Sequence, residues 1–297
     1  MKGLSLLILF LALFFTTLSV SVRSVQAETI TPRIYGRVID RATGQPLVDA
    51  QIILWNIERG ALYAKTNTLG EYEVEVRGWS SYRVYAYCDR LLFTPGIDYV
   101  PAYRYVSVEG SPLNVSFTLL PGASLFVTGD IRLPYYSSTR RVVFTVTDRY
   151  GLLNGTDAVM KYGEPFLLNS LLNLYREGIV VPSGMPVKVR ADIQLVDGSE
   201  LSLTIDDKGD YLNLTQGALL TLPLQNFALR SFGDRLQIVQ AYLLERLDEA
   251  EKIGAYVSYE RIRLFRAENF LESAYSALAQ GDYDSAYADL HEAQLIL

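Results

Sequence analysis

The sequence of 297 residues predicts a mainly β protein that ends in helices. Three observations carry that prediction. Residues 30–121 divide into seven short runs of period-2 alternation, separated by Gly, Pro, Asn and Asp turns. Residues 123–230 alternate in the same way at 125–131, 141–146, 187–195 and 201–205, which suggests a second sandwich-like region. From Gly233 onward the apolar spacing changes to threes and fours, the period of an amphipathic helix. The expected segments are 1–27, 28–122, 123–230 and 231–297.

The first segment has the pattern of a secretory signal peptide. Lys2 gives a positive start, residues 4–20 are almost wholly apolar, and Val25-Gln26-Ala27 is a small-residue cleavage site. An uncleaved N-terminal anchor is the alternative, because the apolar run is long enough for one. Cleavage after Ala27 removes Lys2 and Arg23 and no acid, leaving 25 basic against 33 acidic residues and a net charge of −8. That charge excludes nucleic acid as a partner, since phosphate binding needs a basic field. Membrane contact is expected only through an uncleaved N-terminal segment or through a partner. The single cysteine, Cys88, excludes an internal disulfide, and its alternation phase places it in the core.

The first β region carries a run of backbone-determining residues. Gly36 sits within the first strand, where a close neighbour leaves no room for a side chain. Thr43-Gly44-x-Pro46 turns the chain into the second strand, with Gly44 free to take φ > 0 and Pro46 fixing φ before pairing begins. Ala50, Ile52 and Leu54 then face the core. Gly70 makes the next turn; Tyr72, Val74 and Val76 face inward, and Glu71, Glu73 and Glu75 face water. In residues 82–88, Tyr82, Val84, Ala86 and Cys88 share one face, while Arg83, Tyr85, Tyr87 and Asp89 share the other. Near the end of the region Val115, Phe117 and Leu119 point in, and Asn114 and Ser116 point out.

This run resembles the carboxypeptidase regulatory-like domain over about residues 30–122. The resemblance implies a seven-stranded immunoglobulin-like or prealbumin-like (transthyretin-like) sandwich. It also implies a supporting module, used in folding, adhesion or ligand contact and without catalysis of its own. A peptidase does not carry over with it. A zinc carboxypeptidase needs a His-x-x-Glu pair and a distant second His, and this chain has one histidine, His291, expected as a solvated helix residue.

In the second region residues 164–177 have helical spacing and predict a short helix. Residues 200–211 faintly echo residues 65–72, either as a degenerate repeat of the first module or as a second Gly turn between strands. The tail predicts a helical hairpin or three helices. Their faces are Leu236, Val239, Leu243, Leu247, Ala250 and Ile253; then Leu264, Ala267, Leu271, Ala274 and Leu278, capped by Ser258; then Tyr283, Ala286, Leu290, Ala293 and Leu297. Gly281 is placed as a C-cap and Asp282 as the next N-cap. Residues 274–293 weakly resemble one tetratricopeptide unit, a single copy that implies no array. The tail either docks another subunit, giving an oligomer through residues 234–297, or caps the second sandwich.

No catalytic constellation stands out. A serine triad would have to use His291, which has no nucleophile elbow near it. There is no phosphate loop and no dinucleotide fingerprint, so no cofactor is expected. The Asp206-Asp207-Lys208-Gly209-Asp210 stretch lacks a calcium-loop register and reads as an Asp/Gly turn, so no metal is expected. A carboxylate-dependent hydrolase in the second region stays only as an alternative.

The contact residues expected from alternation are Trp55, Tyr85, Tyr87, Tyr103 and Tyr105, all outward by phase on the first sandwich. Aromatics there either meet a protein or polysaccharide partner or pack against the second region. The sequons at Asn114, Asn154 and Asn213 are expected to carry glycans. The expected function is a secreted or cell-surface binding and assembly protein without catalysis, with a structural envelope stalk as the alternative.

Overall fold

The computed structural model describes residues 31–89, 94–163, 178–206 and 209–297. The segment 1–27 and the helix expected at 164–177 lie outside the described residues. The protein is mainly β, with two immunoglobulin-like sandwiches and then three helices.

The first sandwich pairs β1 (Arg33–Asp40) with β4 (Glu71–Glu75), β7 (Leu113–Asn114) and β8 (Phe117–Leu119) in one sheet. The other sheet runs β3-β2-β5-β6, from β2 (Gln51–Asn56), β3 (Gly60–Lys65), β5 (Ser80–Tyr87) and β6 (Ala102–Val108). The expected seventh strand is broken in two: β7 and β8 both run parallel to β1 in one unshifted register, with Val115-Ser116 between them outside the ladder. Gly36 lies opposite this break. A Cβ there would lie 2.0 Å from the Val115 carbonyl oxygen. The break is fastened by Val115 N–H donating to the Tyr35 carbonyl at 2.7 Å and Arg37 N–H donating to Ser116 Oγ at 3.1 Å. The buried Tyr72 hydroxyl donates to the Val115 carbonyl itself.

Other parts of the motif match the expectation. Gly44 and Gly70 take φ of 70° and 73°. The turn before Pro46 is built on the Asp40 carboxylate, which accepts from Ala42 N–H at 2.8 Å and from the Thr43 hydroxyl at 2.9 Å. Ile34, Val38, Ile52, Leu54, Val84, Cys88, Phe117 and Leu119 fill the core between the sheets.

The second sandwich repeats this topology strand for strand. Its elements are β9 (Gly122–Thr128), β10 (Thr139–Asp148), β11 (Lys161–Tyr162), β12 (Gly178–Pro182), β13 (Val187–Leu195), β14 (Glu200–Ile205) and β15 (Leu219–Pro223). One sheet runs β12-β9-β15, with β9–β12 antiparallel and β9–β15 parallel, as β1 pairs with β4 and with β7 and β8. The other runs β11-β10-β13-β14, matching β3-β2-β5-β6. The sequence echo at residues 200–211 is not the trace of this repeat. Residues 65–72 join the third and fourth strands of their sandwich, whereas 200–211 span the sixth strand and the start of the connection to the seventh.

No linker separates the sandwiches. β8 ends at Leu119 and β9 begins at Gly122. Residues 94–101, which connect β5 to β6, are sewn into the second sandwich. Gly96 N–H donates to the Gly217 carbonyl at 2.9 Å, Gly217 N–H to Gly122 at 2.8 Å, and Gly122 N–H to Asp98 at 2.7 Å. Ile97 N–H donates to Ser124 Oγ at 2.9 Å, and Gln216 Nε2 to the Asp98 carbonyl at 3.0 Å. The approach is so close that a Cβ on Gly96 would meet the Ala218 carbonyl oxygen at 2.2 Å.

The helices leave the other end of the second sandwich, where β15 and β9 finish side by side at Pro223 and Thr128. They are α1 (Leu224–Lys252), α2 (Ser258–Gln280) and α3 (Tyr283–Ile296). The helical region therefore starts well before Gly233, because the strand ending in Pro223 runs directly into α1. Leu224, Ala228, Leu229, Phe232 and Leu236 bury its first half in the same core as the second sandwich. The buried stripe then passes through Gln240, while Val239 and Ile253, expected on it, are exposed. Ser258 is the first helical residue and not a cap; Val257 precedes it without a side-chain cap bond. Gly281 closes α2 at φ 77°, and the Asp282 carboxylate caps α3 by accepting from Ser285 N–H at 3.1 Å.

Gly36→Ala is expected to destabilise the fold by about 3 kcal/mol, because backbone must move to admit the methyl group. Gly44→Ala, with open space around it, costs about 1 kcal/mol through its positive φ alone. Tyr72→Phe costs about 1 to 2 kcal/mol by leaving the Val115 carbonyl without its hydroxyl donor. Urea unfolding measures all three, and equal costs at Gly36 and Gly44 would remove the close-approach account.

Candidate functional site

The outer face of sheet β3-β2-β5-β6 is set by strand register. Ala61, Trp55, Arg83 and Tyr105 lie opposite one another across four strands, and Tyr63, Ile53, Tyr85 and Tyr103 form the next row. Alternation therefore places Trp55, Tyr85, Tyr103 and Tyr105 on one face, with Tyr87 one further step along β5.

The face is half covered. Tyr85 and Tyr87 are only 2% and 9% exposed, so the expectation that they are available for contact is not met. They form a second, small core with Ile53, packed by Trp55, Ala61, Tyr103 and Ile97. Ile97 belongs to the segment sewn into the junction, so the seam between the sandwiches also carries the cover. Tyr105 stays 65% exposed, and Tyr63 in the next row 64%. Trp55 and Tyr103 are half-buried.

Arg83 organises the open half. Its guanidinium lies 4.4 Å from the Tyr105 ring centroid, 5.7 Å from that of Trp55 and 5.8 Å from that of Tyr103. Its Nη1 donates to the Tyr85 hydroxyl at 3.0 Å. Burial pushes the Tyr85 phenol up, and the Arg83 hydrogen bond and charge partly oppose this. Tyr103 meets Tyr85 at 5.7 Å and Tyr105 edge-on at 5.6 Å.

The second sandwich supplies the facing wall. Residues 157–159 pair with the start of β6, through Tyr103 N–H to the Asp157 carbonyl at 2.8 Å and Val159 N–H to Pro101 at 2.7 Å. Arg104 grips Asp157 with two hydrogen bonds of 2.8 and 2.6 Å, which hold the guanidinium in its charged form. A cleft of about 560 Å³ results, lined on one side by Arg83, Tyr85, Tyr103, Arg104 and Tyr105 and on the other by residues 156–163.

Elsewhere the candidates are structural. His291 is half-buried and not freely solvated; its ring stacks on Tyr135 at 5.2 Å and on Tyr287 at 6.5 Å. Lys188 Nζ lies 3.6 Å from Asp206 Oδ2 and 2.8 Å from the Gly209 carbonyl, so an ammonium occupies the Asp/Gly turn. Cys88 is buried in the first core. Among the described residues no group of three His, Cys, Asp or Glu side chains is placed to hold a metal, and no helix is long and apolar enough to cross a membrane. Asn114, Asn154 and Asn213 are all exposed, and Ser116 Oγ lies 3.0 Å from Asn114 Oδ1.

Sequence reasoning missed three features. Tyr63 is legible from the alternation of β3. Arg83 was visible as the one cation in phase with the tyrosines. Trp79, 84% exposed at φ 58° in the turn before β5, carries no periodic signal.

No family model matches the chain, and no curated protein does. Among solved structures the chain is similar to the Bacillus anthracis TIE protein, at 11% identity and a TM-score of 0.26, over 65% of this chain and 33% of that one. It is similar to a DUF3823 family protein from Bacteroides ovatus at 11% identity and a TM-score of 0.24, over 62% and 98% of the two chains. It is also similar to BcpA, the major pilin subunit of Bacillus cereus, at 8% identity and a TM-score of 0.26, over 58% and 67%. The chain thus spans a third of the length of the TIE protein.

Two tyrosines in neighbouring rows should separate cleanly. Tyr85→Ala is expected to cost about 3 to 5 kcal/mol of stability, as for a buried aromatic. Tyr105→Ala should stay within about 0.5 kcal/mol of the parent. Chemical denaturation of both variants checks this, and a small loss at Tyr85 would mean that its ring is not core.

Proposed function

We propose that this protein is an exported, non-catalytic binding and assembly protein of the cell surface, which holds a polysaccharide in the cleft between its two sandwiches. One observation carries the reading: an aromatic face that is half core and half open, facing a wall fixed to it by backbone hydrogen bonds. Flat rings with one wet edge suit the apolar faces and polar rims of sugars. Tyr103 and Tyr105 line the cleft, and Trp55, beside it on the same face across Arg83, extends the contact surface in this reading. Tyr85 and Tyr87 support them from below.

The first sandwich is read as a carboxypeptidase regulatory-like module. The Gly36 contact, the Asp40 turn and Tyr72 support that assignment. Export is read from residues 1–27, and the exposed sequon asparagines Asn114, Asn154 and Asn213 are proposed glycan sites.

A second interface is favoured at the far end of the helical tail. α1 is about 43 Å long, and the shorter α3 leaves its last turns and the start of α2 as a bare hairpin. Ile253, Tyr256, Tyr259, Ile262 and Phe265 are all exposed there. A surface this apolar suits self-association of the kind a stalk or assembly subunit needs.

Binding and light scattering test the two interfaces separately. Polysaccharide from the native envelope is expected to bind the purified full chain. Trp55→Ala and Tyr105→Ala should each weaken that binding by roughly thirty-fold, the effect of removing an interface anchor worth about 2 kcal/mol. Binding indifferent to both substitutions would remove the cleft as the contact site. By light scattering the chain is expected to form dimers or larger species that Phe265→Glu dissociates; a monomer at every concentration would sink the tail interface.

A further inference from the structure

We infer that the cleft selects an acidic saccharide, with Arg83 as the residue that pairs with its carboxylate. The inference rests on the reading of the cleft as a polysaccharide site and adds the charge of the ligand.

The first support is the charge of the lining. The whole chain carries a net charge of −6, yet the charged side chains lining the cleft are Arg83, Arg104 and Lys161 against Asp157 alone. Arg104 and Asp157 neutralise each other at 2.6 Å. Two cations are left over, one on each wall. Among the described residues neither Arg83 nor Lys161 makes an ion pair. A positive recess in an acidic protein focuses anions toward itself.

The second support is the state of Arg83. The guanidinium is half-buried among three aromatic rings, and its Nε is shielded from water with no hydrogen-bond partner. Its one hydrogen bond is to a phenol, a neutral acceptor. A planar fork fixed in this way and partly stripped of water is a carboxylate receptor with most of its ordering already done. Rings on either side hold it in place through cation–π contact.

The geometry also favours a sugar over a peptide. A peptide would most readily add as a strand to the free edge of β6. That edge is occupied beside the cleft by residues 157–159. What stays open is a ring platform with a cation in its middle, which matches a pyranose carrying a carboxylate: the C–H face lies on Trp55 or Tyr105 and the acid meets Arg83.

Titration of the full chain with three probes at one ionic strength tests this: polygalacturonate, its fully methyl-esterified form, and poly-L-glutamate. Polygalacturonate is expected to bind, with the ester and the polypeptide each weaker by about tenfold or more. Arg83→Gln and Lys161→Gln should each weaken polygalacturonate by about tenfold, and Arg83→Lys should restore part of the loss. Arg190→Gln, on an exposed strand position paired with Asp192, should change nothing. Thermal melts confirm folding of each variant, and exposed Lys161 gives a test free of core effects. Equal binding of acid and ester, both abolished by Trp55→Ala, would overturn the anion inference and leave the cleft a neutral-glycan site. Equal binding of poly-L-glutamate would overturn the saccharide class. Silence with all three probes would overturn the inference, whereas loss of native envelope polysaccharide binding as well would take the underlying reading with it.

Discussion

The close approach of three backbones at Gly96, Gly122 and Gly217 is the constraint on which the rest of the structure depends. Gly96 N–H bonds Gly217 and Gly122 N–H bonds Asp98 across the boundary between sandwiches, Gly217 N–H bonds Gly122 within the second, and a side chain at Gly96 would collide with Ala218. The seam fastens two modules together by backbone hydrogen bonds, without a linker between them. It delivers Ile97 onto Tyr85 and Tyr87. Cover for the buried half of the aromatic face comes from this seam, and the far wall of the cleft from the neighbouring pairing of residues 157–159 with Pro101 and Tyr103. Domains joined by a flexible linker move independently by default; a cleft between such domains would have no fixed width.

Much of the first sandwich was legible because its turns need particular backbones. Gly36, Gly44, Pro46 and Gly70 each answer a steric demand that few residues meet, so their spacing carries the fold. The alternation of Tyr82, Val84, Ala86 and Cys88 gave the inner face correctly for a related reason: period 2 is a property of the strand itself. What alternation cannot give is the cover. Tyr85 and Tyr87 have the phase of a surface and the burial of a core, because Ile97, which lies over them, sits in an irregular connection with no periodicity. The far wall of the cleft was equally hidden, since residues 157–159 meet the start of β6 from an irregular connection that carries no periodicity.

The tail shows the same division. Gly281 and Asp282 were readable because caps are local chemistry. The start of α1 was not, because Pro223 ends a strand and precedes a helix at once, and the stripe from Leu224 to Leu236 is explained only by the sandwich it packs on. The repeat of topology left no usable trace in the sequence. Residues 200–211 and 65–72 look alike because both pass through a Gly turn after a strand, not because they occupy equivalent positions.

That hidden repeat supplies an internal control on the cleft. β5 and β13 are equivalent central strands with equivalent outer faces. On β13 the outward positions are Lys188, Arg190, Asp192 and Gln194, a polar face in which Arg190 pairs with Asp192 at 3.0 Å and Ser202 donates to Asp192 at 2.7 Å. On β5 they are Ser81, Arg83, Tyr85 and Tyr87. The same architecture therefore stands with an ordinary solvated face in one copy, so nothing in the fold requires aromatics in the other. Aromatics on a sheet surface cost solubility unless they are covered. The seam covers Tyr85 and Tyr87 and stops short of Trp55, Tyr103 and Tyr105, around the one guanidinium in the group. The part of the face that the seam leaves open is the part for which folding gives no reason, and that is where binding has to be sought.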